Sequence, residues 1–290
     1  MHKSSLYLPE RLKAGLAARA RATGRSEAAV LREALEAALA GDPPEAQTRP
    51  DPPLPGRLVG VGVGPGEADL LTVRAVAALR RADRVVAPST AVDAVGRAEA
   101  IVRQAVPGLA VERVAFSMAP SRPARDRSVV RAAAAVEAHL RAGEEVAWVT
   151  LGDPLVYSTF AAVAASVRRR RPATVVEVVP GIMAFQALAA RTGTVVADER
   201  GRLTIRTALD GEDLDADLSD PHSTLVLYKG GRRLPELAAA AERAGRDGDA
   251  VVGELMGMPG ERVGPLAEAA VTGPASYLAT VIVPAKGGNR

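Results

Sequence analysis

Residues 146–149, Val-Ala-Trp-Val, run straight into Thr150-Leu151-Gly152-Asp153-Pro154. A continuous apolar run closed by turn residues predicts a strand buried on both faces of a sheet. Gly152-Asp153-Pro154 turns the chain, and residues 160–167 mix small and apolar side chains as a helix start does. Strand, glycine turn and helix make up the unit of a parallel α/β sheet, whose ligands bind outside the carboxyl ends of the strands. Gly152 lets a ligand approach the backbone closely. Ser158 and Thr159 bring hydroxyls to the helix start, where free N–H groups can hold a carboxylate. The same residues also suit an ordinary strand-to-helix turn with a good cap.

The chain from Arg57 onward repeats this unit. Strands are predicted over residues 58–63, 83–87, 111–115, 146–150 and 175–179, the second of them stopping at Pro88. Helices follow over residues 70–79 with Asp69 as cap, 93–102 and 126–140, and again after Gly152-Asp153-Pro154 and after Pro180-Gly181. Such alternation predicts a parallel sheet with helices on both faces. After about Val196 the pattern changes. Strands over 203–207, 224–228, 250–254, 262–265 and 276–284 share the segment with one clear helix at 234–243, which predicts a mixed sheet. The expected architecture is α/β, with a parallel-sheet domain over 57–196 and a mixed-sheet domain over 197–286.

Residues 41–56 separate this region from what precedes it. Six prolines and no apolar period mark an extended linker. Residues 1–40 form a strand-helix-helix unit. In Ser4-Ser5-Leu6-Tyr7-Leu8-Pro9, Leu6 and Leu8 share one face, while Lys3, Ser5 and Tyr7 share the other. Pro9-Glu10 opens a helix, Thr23-Gly24-Arg25 stops it, and Ser26 caps a second. A lone strand and two short helices cannot close a core, so the unit should pair with a second copy.

Composition narrows the chemistry. The chain has no cysteine and three histidines in unrelated contexts, so thiol chemistry and disulfides are excluded and no metal-ligand spacing is present. No apolar run approaches the roughly 20 residues of a membrane span, and Met1-His2-Lys3-Ser4-Ser5 lacks the apolar centre of a signal peptide. A cytoplasmic protein is expected. Gly60-x-Gly62-x-Gly64-Pro65-Gly66 follows a strand, but Pro65 and Gly66 delay the helix and no acidic residue follows the second strand for a ribose, so it is not a dinucleotide fingerprint. Its glycines require only that backbone pass close to something. Arg168 to Arg171 complement a helix terminus. Arg122, Arg125 and Arg127 fall in a stretch read as a loop, beside Pro120 and Pro123. They suit either a solvated surface or a clamp for a polycarboxylate. No Ser-His-Asp or paired-carboxylate arrangement stands out. The residues alone give a two-domain α/β protein with a ligand in a cleft.

Two resemblances extend this. Residues 3–39, with Leu-Tyr-Leu-Pro-Glu and the Gly-Arg-Ser turn, resemble the ribbon-helix-helix DNA-binding dimers. The resemblance implies that Lys3, Ser5 and Tyr7 face bases of a major groove, or that the unit only dimerises. Residues 57–284 carry Gly-Val-Gly-Pro-Gly, Ala82-Asp83, Thr-Leu-Gly-Asp-Pro-Leu-Val-Tyr-Ser-Thr-Phe, Val-Pro-Gly-Ile and Gly-Met-Pro-Gly-Glu. In this order they resemble the tetrapyrrole methylase family, and most of all its branch acting on C20 of precorrin-2. That resemblance implies a homodimer binding S-adenosyl-L-methionine between two domains and transferring its methyl group to precorrin-2 or cobalt-precorrin-2 in cobalamin synthesis. Pro65, Gly152, Asp153, Val156, Tyr157, Ser158 and Thr159 would line the cofactor pocket from the first domain. Tyr228, Lys229, Met256 and Gly257 would close it from the second. Gly64 and the arginines 122, 125 and 127 would meet the substrate, and Glu254 or Tyr157 would accept the proton released from C20. Leu255-Met256 stands where the branch often has Arg-Ala, and Met183-Ala184 where small hydroxyl residues are usual. A DNA-binding regulator that uses the methylase fold to sense S-adenosylmethionine or a corrinoid is the second expectation.

Overall fold

The computed structural model describes residues 10–40, 56–91, 93–117, 122–209 and 214–287. The expected strand at residues 4–8, with Lys3, Ser5 and Tyr7, lies outside them, as does the linker up to Pro55. The chain divides into two compact units, residues 1–52 and 53–290.

In the first unit, α1 (Glu10–Thr23) and α2 (Glu27–Ala40) are joined through Gly24 at φ +66°. Ser26 caps as expected: its Oγ accepts the Ala29 N–H at 3.2 Å.

The second unit holds two five-stranded sheets. In the first, β1 (Arg57–Gly62), β2 (Arg84–Ser89), β3 (Glu112–Ala115), β4 (Glu145–Thr150) and β5 (Val175–Val179) lie in the order β3-β2-β4-β1-β5, all parallel. Alternate residues of each strand face opposite ways. Val59, Val61, Ala147 and Val149 pack under α3 (Val73–Arg81) and α4 (Arg97–Ala105), whereas Leu58, Val146 and Trp148 pack under α5 (Arg122–Arg141) and α6 (Phe160–Arg170). The chain leaves β1 toward one face and its neighbour β4 toward the other. Loops that diverge like this open a crevice at the carboxyl ends of the strands.

Three local expectations are corrected. The cap of α3 is Thr72, not Asp69: the Thr72 Oγ1 accepts the Ala75 N–H at 3.0 Å, while Asp69 sits in a separate 3-10 turn, Ala68–Leu70. β2 continues through Pro88. Pairing with β4 ends at Val86 and Pro88 has only β3 beside it, so its missing N–H breaks no ladder on the β4 side. Helix α5 begins at Arg122, which puts Arg125 and Arg127 on a helix instead of a loop. Pro123 falls in the first turn, where no intrahelical N–H bond is needed.

In the second sheet, β6 (Arg202–Thr207), β7 (Ser223–Tyr228), β8 (Val251–Glu254), β9 (Arg262–Pro265) and β10 (Thr280–Val283) lie in the order β6-β7-β10-β8-β9. Only β6–β7 is parallel, so the sheet is mixed as expected. One face, with Leu225, Leu227, Val281 and Val283, packs under α9 (Leu234–Arg243). The other, with Val226 and Ile282, meets Phe185 and Leu188 of α7 (Ala184–Thr192). The short helices α8 (Asp215–Ser219) and α10 (Leu266–Val271) had no clear sequence signal. Among the described residues, no helix is long and apolar enough to cross a membrane.

Candidate functional site

The floor of the site is backbone. Gly152 N–H donates to the Gly64 carbonyl at 2.8 Å. A Cβ on Gly62 would stand 2.5 Å from the Gly152 oxygen and 2.6 Å from the Gly181 nitrogen. The chain segments leaving β1, β4 and β5 therefore meet without side chains between them. Asp153 fixes the junction. Its Oδ1 accepts Leu155 N–H at 2.8 Å and its Oδ2 accepts Gly181 N–H at 3.1 Å. The Ser158 Oγ accepts Phe160 N–H and bonds the Thr150 hydroxyl, both at 3.1 Å. Ser158 thus closes the turn that leads into α6, whose N-cap Thr159 makes no side-chain cap bond, and neither residue lines the cleft.

The walls join the two sheets. A Cβ on Gly66 would lie 1.8 Å from the Met256 carbonyl oxygen, and one on Gly257 would lie 2.5 Å from the Glu67 nitrogen. Arg191 of α7 pairs with Glu67 at 2.5 Å and with Glu261, and Glu261 also accepts Gly257 N–H at 2.6 Å. The carboxylate of Glu261, followed by that of Glu67, raises the Arg191 pKa above its usual value. On the other wall the Tyr157 hydroxyl donates to the Ile205 carbonyl at 2.8 Å, and its ring meets Tyr228 edge-on at 6.1 Å. The Tyr228 oxygen accepts Phe185 N–H at 3.3 Å. Burial pushes its pKa up to about 12, so it stays a neutral phenol.

Between floor and walls lies an open, mostly apolar cleft, the kind of concavity that small-molecule sites occupy. Pro65, Gly152, Asp153, Val156, Tyr157, Tyr228, Lys229 and Met256 come together around it, with Gly64 in the floor and Gly257 beside the wall. Met183, Ala184, Leu255, Met258, Leu278 and Thr280 also line it and were not foreseen as site residues. The signal for three of them was their departure from the family pattern at Met183-Ala184 and Leu255. Leu278 and Thr280 belong to no motif. Among the described residues, three that are not glycine have left-handed backbones, Tyr157 at φ 49°, Lys229 at 63° and Leu255 at 52°, and all three line the cleft. Each costs of order 1–2 kcal/mol, a strain that concentrates at ligand sites.

Two expectations are corrected here. Glu254 does not line the cleft; its carboxylate is held by Arg262 at 2.6 Å. Tyr157 has its hydroxyl proton committed to Ile205. Neither is placed as a free proton acceptor. Arg125 and Arg127 are exposed on α5 and also lie outside the cleft lining.

An apolar cleft with a glycine floor, one carboxylate (Asp153) and one ammonium (Lys229) suits a nucleoside carrying an amino-acid tail: flat base against apolar wall, polar groups against backbone. The sequence profile of the Tetrapyrrole (Corrin/Porphyrin) Methylases matches residues 57–270. A precorrin-2 C(20)-methyltransferase from Sinorhizobium sp is 33% identical over 239 residues, spanning 79% of this chain and 95% of that relative. A cobalt-precorrin-2 C(20)-methyltransferase from Salmonella typhimurium is 30% identical over 230 residues, spanning 79% and 96%. A uroporphyrin-III C-methyltransferase from Thermus thermophilus, solved in complex with S-adenosylhomocysteine, aligns with a TM-score of 0.53 and 26% identity over 78% of this chain and 97% of that one.

Proposed function

This chain belongs to the tetrapyrrole (corrin/porphyrin) methylase family, and we propose that it transfers a methyl group from S-adenosylmethionine to C20 of precorrin-2 or cobalt-precorrin-2 in cobalamin synthesis. The observation that carries the substrate is the identity of at least 30% to two C20-methyltransferases over nearly their whole length. The cleft at the β1/β4 switch point agrees with it. The cofactor, when bound, supplies a methyl group already activated on a sulfonium. What remains for the protein is to bind, align and exclude water. The floor at Gly64 and Gly152, with Pro65, Val156, Met183 and Met256 around it, would hold the cofactor. Asp153 keeps that floor in register through its two N–H bonds. Incubation of the purified protein with precorrin-2 and S-adenosylmethionine, followed by mass spectrometry and NMR, should show one new methyl on C20. Failure to methylate, with S-adenosylhomocysteine bound, would favour the sensing reading instead.

Arg125 and Arg127 stand in the first turns of α5, which Ser128 ties to the end of β3 by accepting the Ser117 N–H at 3.0 Å. That is the end of the sheet where the cleft opens. With Arg122 they would meet carboxylates of the tetrapyrrole. Replacing all three by alanine should raise the KM for precorrin-2 several-fold with S-adenosylhomocysteine affinity unchanged; an unaltered KM refutes the clamp.

The N-terminal unit would pair with a second copy in the cytoplasm and contact DNA through Lys3, Ser5 and Tyr7. Within α1 and α2, Ala20 and Val30 are buried, while Leu12 is 52% and Leu35 49% exposed. That leaves apolar surface for a partner. DNA affinity that falls steeply with salt in the full chain, and is lost without residues 1–40, would support this; retained affinity without them would refute it.

A further inference from the structure

Among the described residues, Lys229 is the one ammonium of the cleft lining, and its partners are aromatic. Its Nζ stands 5.9 Å from the ring centroid of Tyr157 and 5.9 Å from that of Tyr277, within cation–π reach. It forms no ion pair with any carboxylate among the described residues. Asp153, the one carboxylate of the lining among the described residues, accepts Leu155 N–H on one oxygen and Gly181 N–H on the other.

The seat around this cation is built. Tyr157 is anchored by its bond to the Ile205 carbonyl at 2.8 Å. The segment carrying Tyr277 is locked to the turn carrying Lys229. Ala275 N–H donates to the Gly231 carbonyl at 2.7 Å, and a Cβ on Gly231 would stand 1.9 Å from the Ser276 oxygen. Lys229 itself holds φ +63°. Aromatic faces favour an ammonium without neutralising it, and a partly buried charge is satisfied by an opposite one.

We propose that Lys229, seated between Tyr157 and Tyr277, is the carboxylate-binding group of the cleft. The proposal rests on the methyl-transfer reading, which brings two sources of carboxylate: the amino-acid end of the cofactor and the side chains of the tetrapyrrole. Lys229→Met keeps the stem and removes the charge; Lys229→Arg keeps the charge. Calorimetry would compare S-adenosylhomocysteine with 5′-methylthioadenosine, which lacks the amino acid, and an assay would give the KM for precorrin-2. A charge-assisted bond predicts that Lys229→Met weakens one carboxylate-bearing ligand by about tenfold or more, and Lys229→Arg by less. If S-adenosylhomocysteine weakens and 5′-methylthioadenosine does not, the carboxylate is the cofactor's. If the KM for precorrin-2 rises and S-adenosylhomocysteine binding holds, it is the tetrapyrrole's. Tyr277→Leu, which removes one face of the seat, should move the same ligand in the same direction. Equal weakening of both nucleosides would reveal a structural role and overturn the proposal, as would no change in any ligand. A wild-type protein that binds neither nucleoside overturns the methyl-transfer reading as well, which separates the two failures.

Discussion

Tyr228 sits against the N-terminus of α7 with its phenol in apolar surroundings. Its pKa is raised from the usual 10.0 to about 12, chiefly by burial. A group whose folded pKa is raised contributes stability that is full below its unfolded pKa and is lost as pH rises toward the folded one. Denaturation at increasing pH should therefore show a loss of about 2 kcal/mol between pH 10 and 12, absent in Tyr228→Phe. That variant should itself cost about 1 kcal/mol at neutral pH, because Phe185 N–H loses its acceptor. Gly66 is constrained by space. A methyl there would meet the Met256 carbonyl oxygen at 1.8 Å, and a backbone oxygen cannot rotate aside. Gly66→Ala should cost about 2 kcal/mol or more by denaturant titration and abolish S-adenosylhomocysteine binding.

Arg191 projects from α7 and ties together the loops that follow β1 and β8. Two half-exposed ion pairs are worth about 1 kcal/mol together after solvent screening. Arg191→Met should lower stability by that much while weakening S-adenosylhomocysteine more than the stability loss explains, because Glu261, which accepts the Gly257 N–H, loses its anchor. An equal affinity in both proteins would show the loops hold without it. Elements of this kind were partly legible in the sequence. The bounds of α9 and β9 match the sequence reading, α9 because one of its faces is buried, and the parallel first sheet follows from strands that alternate with helices. Helices α8 and α10 are too short to show a period. The glycines announced close approach, yet not to what: Gly60 meets the Phe160 ring, and Gly66 meets Met256. Both partners are distant in sequence and belong to no shared motif. Glu254 is a candidate proton acceptor in the sequence, but it ends β8 and pairs with Arg262, while Leu255 leaves the strand with a left-handed backbone and lines the cleft instead. Leu278 reaches the site from the turn before β10 and Thr280 from the first residue of that strand, where only the tertiary structure brings them in.

The molecule as a whole carries an acid-sensitive point away from the cleft. The Glu99 side chain is fully buried on α4, bound by Arg113 at 2.6 and 2.9 Å and by Arg103 at 2.8 Å. Hydrogen bonding from Arg113 holds its carboxyl below the usual 4.5, against burial. A depressed carboxyl contributes stability that is full above its unfolded pKa and is lost as pH falls through the folded one. Thermal unfolding should thus weaken below about pH 4.5, and Glu99→Gln should cost about 2 kcal/mol at pH 7 while flattening that acid limb. The junction of Gly62, Gly152 and Gly181 has a different consequence, for how such a protein can change. Its floor offers evolution almost nothing to edit, since a Cβ on Gly62 or Gly181 collides with main chain and Gly152 holds a left-handed backbone at φ +62°, whereas Met183, Leu255 and Leu278 can be exchanged around it. A library seeking a new tetrapyrrole should randomise that rim and leave the floor untouched.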